Sequence, residues 1–163
     1  MYPPEYIKRL YSFEVQAGFY RMGELFGFMT YGDFIEPDLI TLGKGISSSL
    51  PMAAVLGKSE IIDVDLNANL SGTHAGNALC CAASLANLQF LTDDTFQLEL
   101  KQKISYFETR SKKLLKFKSV SKVNDRGMVA GIIFDSTEKA NQVVEHCILN
   151  GVLPVCTFRE SIK

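Results

Sequence analysis

The chain has 163 residues, 47% of them hydrophobic and 21% charged, with a formal net charge of −1. That is one domain's worth of packed globular chain, or a core plus an appendage, with no global field to favour nucleic acid or an anionic membrane. No apolar stretch approaches a membrane span, and Met1-Tyr2-Pro3-Pro4-Glu5 lacks the basic region and apolar core of a signal peptide, so a cytoplasmic location is the expectation.

Pro3 and Pro4 followed by Glu5 to Tyr11 predict a helix with proline at its start. Phe13 to Gln16 is a short extended candidate that runs into the glycine-punctuated loop Ala17 to Gly23. Glu24 to Tyr31 is a helix candidate. Leu39-Ile40-Thr41-Leu42, bounded by Pro37 and Gly43, predicts a short buried strand. Lys44 then stands at a strand end between Gly43 and Gly45. There, a stem in apolar surroundings would desolvate the ammonium, lower its pKa and favour the free amine that attacks carbonyls. Taken alone, such a lysine is most often a solvated surface group.

Ser47 to Pro51 is a polar turn, and Met52 to Leu56 a second apolar strand ended by Gly57. Asp63 to Gly76 is polar and small, and predicts a long loop with a turn of helix at most. Asn77 can cap a helix from Ala78 to Leu91, so apolar around its surface that packing on two sides is expected. Thr92-Asp93-Asp94 starts a further helix running to about Phe117, with Leu100, Ile104, Phe107, Ser111 and Leu114 on one face. The basic cluster Arg110, Lys112, Lys113, Lys116 and Lys118 complements that helix's dipole better than it makes a nucleic-acid patch. Val120 to Asp125, Arg126-Gly127, the strand Met128 to Phe134, a helix from Ser136 to Asn150-Gly151 and a last strand Val152 to Cys156 resemble a small α/β lobe.

The cysteines (Cys80, Cys81, Cys147, Cys156) have neither metal-site nor redox spacing, and His74 and His146 lie at no ligand offset. Reduced, mostly buried thiols and no metal are expected. Gly43-Lys44-Gly45 is not a phosphate loop, because Asp38 stands at the first glycine position and Gly45 replaces the Ser/Thr.

Glu14-Val15-Gln16-Ala17-Gly18-Phe19-Tyr20-Arg21-Met22-Gly23 resembles the Asp-Glu-Val-Gln-Thr-Gly-Phe-Gly-Arg-Thr-Gly motif of class III aminotransferases, which use pyridoxal phosphate. Glu36 to Ile46 is similar to that family's cofactor-lysine segment, and Leu50 to Gly57 continues the likeness. Ser71-Gly72-Thr73-His74-Ala75-Gly76-Asn77 resembles its phosphate-contacting segment, and Arg126-Gly127-Met128 with Gly131 its entry to the small domain. The resemblance implies an α/β chain: part of the major domain of a fold type I pyridoxal-phosphate transferase (1–95), then part of a small α/β C-terminal domain (96–163).

It also implies roles. Lys44 would form a Schiff base with pyridoxal 5′-phosphate and then move a proton between substrate and cofactor. Gln16 would hydrogen-bond the cofactor's phenolic oxygen, Val15 would pack on the ring face, and Thr73 would donate to the phosphate, usually across a dimer interface. Read without the resemblance, Val15 is a core valine, Gln16 a surface amide and Thr73 a turn residue. Arg21 is either a solvated loop arginine or part of the active-site rim. The implied reaction is amino transfer from an amino acid or ω-amine to a 2-oxo acid, in a homodimer or with a complementing polypeptide. The alternative is a degenerate or split-gene fragment that binds cofactor or partner without turnover.

Phe13 stands where the family has the aspartate that keeps the pyridine nitrogen protonated, and a phenyl group cannot pair with a pyridinium. The apolar strand that precedes that aspartate is expected to be missing between Tyr11 and Glu14, as are the N-terminal half and the carboxylate-gripping arginine beyond Pro154. Uncovered apolar sheet is the expected consequence, giving a poorly soluble fragment or one completed by another polypeptide.

Overall fold

The computed structural model describes residues 9–63, 72–157 and 161–162. The chain divides into two compact units, Met1–Leu98 and Glu99–Lys163. The first is built on a three-stranded sheet: β1 (Tyr11–Phe13) pairs parallel with β2 (Leu39–Leu42), which pairs antiparallel with β3 (Ala54–Gly57). A four-residue helix α1 (Ser59–Ile62) follows β3, and α2 (Ala78–Leu91) closes the unit. Phe19, Leu42 and Ile46 form its buried centre, with Ile40, Leu88 and Leu91 packed around them. Phe26 meets Phe19 edge-on at 6.3 Å, the geometry that aromatic quadrupoles favour.

The second unit is a three-stranded antiparallel sheet of β4 (Val120–Arg126), β5 (Val129–Phe134) and β6 (Ser161–Ile162), in that order. Gly127, at φ 61°, opens the two-residue turn between β4 and β5, where a positive φ suits the strand twist. Helix α4 (Thr137–Leu149) lays Ala140, Val143 and Val144 on the sheet against Phe134 and Ile162. Ser136 caps α4 by accepting from the Lys139 amide, and Gly151, at φ 80°, ends it. There the Val152 amide donates to the Cys147 carbonyl and the Gly151 amide to that of Ile148, a Schellman closure. Helix α3 (Asp94–Lys112) begins in the first unit and continues in the second. Its half-buried positions Leu100, Ile104 and Phe107, with buried Ser111, fall on the expected stripe, and half-buried Leu114 follows in a 3-10 segment, Lys113–Lys116, so the α-helix stops short of the expected Phe117. Ser111 Oγ donates to Asp125 at 2.6 Å, tying that stripe to β4.

Several expected elements differ from those observed. Residues 1–8 of the proposed N-terminal helix lie outside the described residues, and Tyr11, at its expected end, is already in β1. The extended stretch stops at Phe13, and Val15 to Tyr20 is turn. Glu24 to Tyr31 yields only a 3-10 segment, Gly27–Tyr31, because the Gly27 and Phe28 amides bond the Glu14 carboxylate instead of preceding carbonyls. β2 is half-buried except at Leu42. Residues 64–71 of the long loop also lie outside the described set. α2 runs as expected from its Asn77 cap, which accepts from the Leu79 and Cys80 amides, but only one side is covered. Leu79 is 70% exposed, and Leu85 and Phe90 each 60%. The last strand is reduced to a bridge between Cys156 and Ile162, since the capped end of α4 takes up Val152 and Pro154 has no N–H for a ladder.

Candidate functional site

A cleft of about 340 Å³ opens in the first unit, lined by the 15–21 turn, the 44–48 turn and the end of α2. Val15, Gln16 and Lys44 all border it, together with Arg21, Ser48 and Asn87. The sheet explains this convergence. β1 and β2 run parallel, so the turns that follow them, carrying Gln16 and Lys44, emerge on the same edge. The Glu14 amide donates to the Thr41 carbonyl at 2.9 Å, extending the pairing to the mouth of the cleft. Gly43 eases this approach, since a Cβ there would lie 3.2 Å from Val15 Cγ1, tighter than ordinary contact.

Backbone strain concentrates around the cleft. Lys44 has φ 35°, Phe19 φ 56° and Ser48 φ 64°, all in the left-handed region that non-glycine residues avoid. Such conformations persist only where the surroundings over-determine them, and they cluster at binding and catalytic sites. Lys44 begins a single 3-10 turn closed by the Ile46 amide on the Gly43 carbonyl at 2.9 Å. Its side chain is exposed, not enclosed as the strand-end argument expected. Gln16 is exposed and Val15 half-buried.

Thr73 does not line this cleft. It lies in the exposed turn Thr73 to Gly76, held by the Ala75 amide on the Gly72 carbonyl. Phe13 does not line it either, and is 77% exposed. Among the described residues no carboxylate borders the cleft, and no three His, Cys, Asp or Glu side chains are grouped to hold a metal.

Three contributions escaped the sequence reading. Glu14 is 2% exposed, and its carboxylate accepts from Ser12 Oγ (2.7 Å) and the amides of Gly27 (2.7 Å) and Phe28 (3.2 Å). It thereby fixes the start of the turn that carries Val15 and Gln16. Asn87 donates from Nδ2 to the carbonyls of Gly45 (2.7 Å) and Ile46 (3.3 Å), just after Lys44. Its signal was an amide within a largely apolar helix, which carries one other at Gln89. Ser48 lines the cleft from a left-handed position. At the other end of β2, Asp38 Oδ2 accepts from the Leu10 amide at 2.8 Å, which lowers the carboxyl pKa, with Lys58 nearby adding to the effect against desolvation. Lys58 is raised in turn, first by its bond to Glu36.

Comparison with known proteins gives a consistent result. The family model for Aminotransferase class-III matches residues 11–162. An acetylornithine aminotransferase of Caldanaerobacter subterraneus is 33% identical over 92% of this chain and 40% of its own length. A 2-aminoadipate transaminase of Pseudomonas putida is 43% identical over 50% of this chain and 19% of its own. Among solved structures, the ornithine aminotransferase of Toxoplasma gondii superposes with a TM-score of 0.81 at 26% identity, over 94% of this chain and 37% of that one. The chain thus spans less than half the length of these relatives.

Proposed function

Because this chain belongs to the class III aminotransferase family, a family of pyridoxal-phosphate enzymes with the transferase fold observed here, we propose that it binds pyridoxal phosphate through Lys44 and transfers an amino group from an amino acid or ω-amine to a 2-oxo acid. The observation that carries this reading is the convergence of Lys44, Gln16 and Val15 on one cleft. An amine, a neutral amide and an apolar wall fit a phenolic aldehyde with a flat ring. When bound, the cofactor supplies the aldehyde carbon and a ring able to take electron density from the substrate. Lys44 Nζ would hold the cofactor aldehyde, and as a free amine it would accept and return the substrate proton. Gln16 would donate from its amide to the ring oxygen, and Val15 would keep water off one ring face. Thr73, outside its own chain's cleft, is suited to the phosphate of a second copy in a dimer. Residues 1–95 are then a partial cofactor domain and 96–163 part of the small domain.

One observation favours the second reading, binding without turnover. With Phe13 in the family's aspartate position and no carboxylate on the cleft, no described side chain can hold a ring nitrogen protonated. We therefore assign no residue to carbanion stabilisation. The test is pyridoxal phosphate with borohydride trapping, read by peptide mass spectrometry, followed by a half-reaction with glutamate or 4-aminobutyrate. Adduct at Lys44, absent in Lys44→Ala, supports the cofactor site, and conversion of the bound aldehyde by the amine supports turnover. Adduct without conversion leaves binding alone. No adduct at Lys44 refutes both.

A further inference from the structure

Helix α2 presents three polar side chains in a row to the loop that carries Lys44. Cys80 Sγ lies 3.6 Å from the Pro51 carbonyl, Ser84 Oγ donates to Met52 Sδ at 2.8 Å, and Asn87 Nδ2 bonds the Gly45 and Ile46 carbonyls. The spacing 80, 84, 87 keeps them on one helical face, and the contacts meet the chain at Pro51, Met52 and then Gly45 and Ile46. An otherwise apolar helix thus carries a polar seam, and its last member sits on the cleft beside Lys44.

We infer that Asn87 is a positioning residue for Lys44. This rests on the reading of Lys44 as the attachment point. Lys44 is held at φ 35°, a conformation that relaxes to right-handed or extended backbone unless its neighbours forbid it. From within, the Ile46 amide on the Gly43 carbonyl closes the turn. From outside, Asn87 Nδ2 donates to the two carbonyls that follow and anchors them to a helix of 14 residues. On the far side, Gly45 lies against the Phe19 ring, so the turn is clamped between helix and aromatic. Rotation about Lys44 would swing both carbonyls off Nδ2. The amide therefore selects the backbone state that aims Nζ at the cleft, and Asn87 acts through Lys44 without touching the amine itself.

Test this in the full chain with Asn87→Leu, Asn87→Asp and Asn87→Gln, and with Ser84→Ala as the control. Ser84→Ala loosens the same seam without touching the Lys44 turn. One readout is the ratio of borohydride-trapped pyridoxal phosphate on Lys44 to that on exposed Lys58. The other, independent of any cofactor, is hydrogen exchange at the Ile46 amide. Asn87→Leu and Asn87→Asp should each lower the ratio and raise the exchange rate about tenfold, with Asn87→Gln in between. Ser84→Ala should leave both unchanged, whatever it does to the melting temperature. Unchanged Ile46 exchange in Asn87→Leu overturns the inference, and so does an equal change in Ser84→Ala. If wild-type protein shows no preference for Lys44 while Ile46 exchange still responds to Asn87, the cofactor reading fails and the clamp on the turn stands.

Discussion

Glu14 carries the sharpest energetic consequence. Its carboxylate is buried and is satisfied by one hydroxyl and two backbone amides. Replacing it with alanine leaves the buried Gly27 amide and the part-buried Phe28 amide without an acceptor. Each orphaned donor costs about 1–3 kcal/mol, so Glu14→Ala should destabilise the first unit by about 2–5 kcal/mol once relief of the buried charge is allowed for. Glu14→Gln keeps the shape but gives up the charge and turns one acceptor into a donor facing an N–H, for a loss of about 1.5–3 kcal/mol. Ser12→Ala removes a single bond and should cost about 1 kcal/mol. Against a total stability of about 5–15 kcal/mol, the alanine loss is large. Urea unfolding followed by far-ultraviolet circular dichroism measures the series, with tyrosine fluorescence as a second probe, since the chain has no tryptophan. If Glu14→Ala lies within 1 kcal/mol of wild type, or Glu14→Gln costs more than Glu14→Ala, the carboxylate does not anchor the 27–28 backbone as argued.

Gly45→Ala would place a Cβ 3.0 Å from Phe19, and overpacking of this kind should cost about 1–3 kcal/mol and lower Lys44 trapping, both measurable on one preparation. Gly151→Ala meets no atom within 4 Å, yet its φ of 80° should still cost about 1–2 kcal/mol in thermal unfolding, and a neutral result would deny the left-handed cap. Asp38 has a lowered pKa, so its folded form binds a proton less readily than the unfolded one. Its stabilisation is present above the reference value of 3.8 and is lost as pH falls through the lower folded pKa. Asp38→Asn should flatten the acid side of the stability–pH curve. Lys58, raised above 10.5, stabilises below that value and loses its contribution as pH climbs through the raised folded pKa, so Lys58→Met should flatten the alkaline side.

Elements that rest on neighbouring residues were legible in advance. The strand Leu39–Leu42 was marked by its own apolar run between Pro37 and Gly43, and the Asn77 cap, the helix start at Ser136 and the α3 stripe by residues a few positions apart. Where a distant group supplied the partner, the reading went astray. The 24–31 helix was shortened by a carboxylate 13 residues before Gly27, whereas the last strand was lost to a near neighbour, the closure of α4 at Val152. The motif order identified the family, because each motif is a local string whose order the chain preserves.

What the sequence determined by itself was therefore the family and the residue types on offer: an amine between glycines, an amide and a valine in a turn, a hydroxyl in a small-residue loop. Only the tertiary structure decided which of them meet. Parallel pairing of β1 and β2 brings Val15 and Gln16 to Lys44, while Thr73 is left outside the cleft. It also showed that the turn around Lys44 is held by Asn87, more than 40 residues away in the chain. Hydrogen bonds across such separations depend on how helix and sheet pack, which no local pattern of residues encodes.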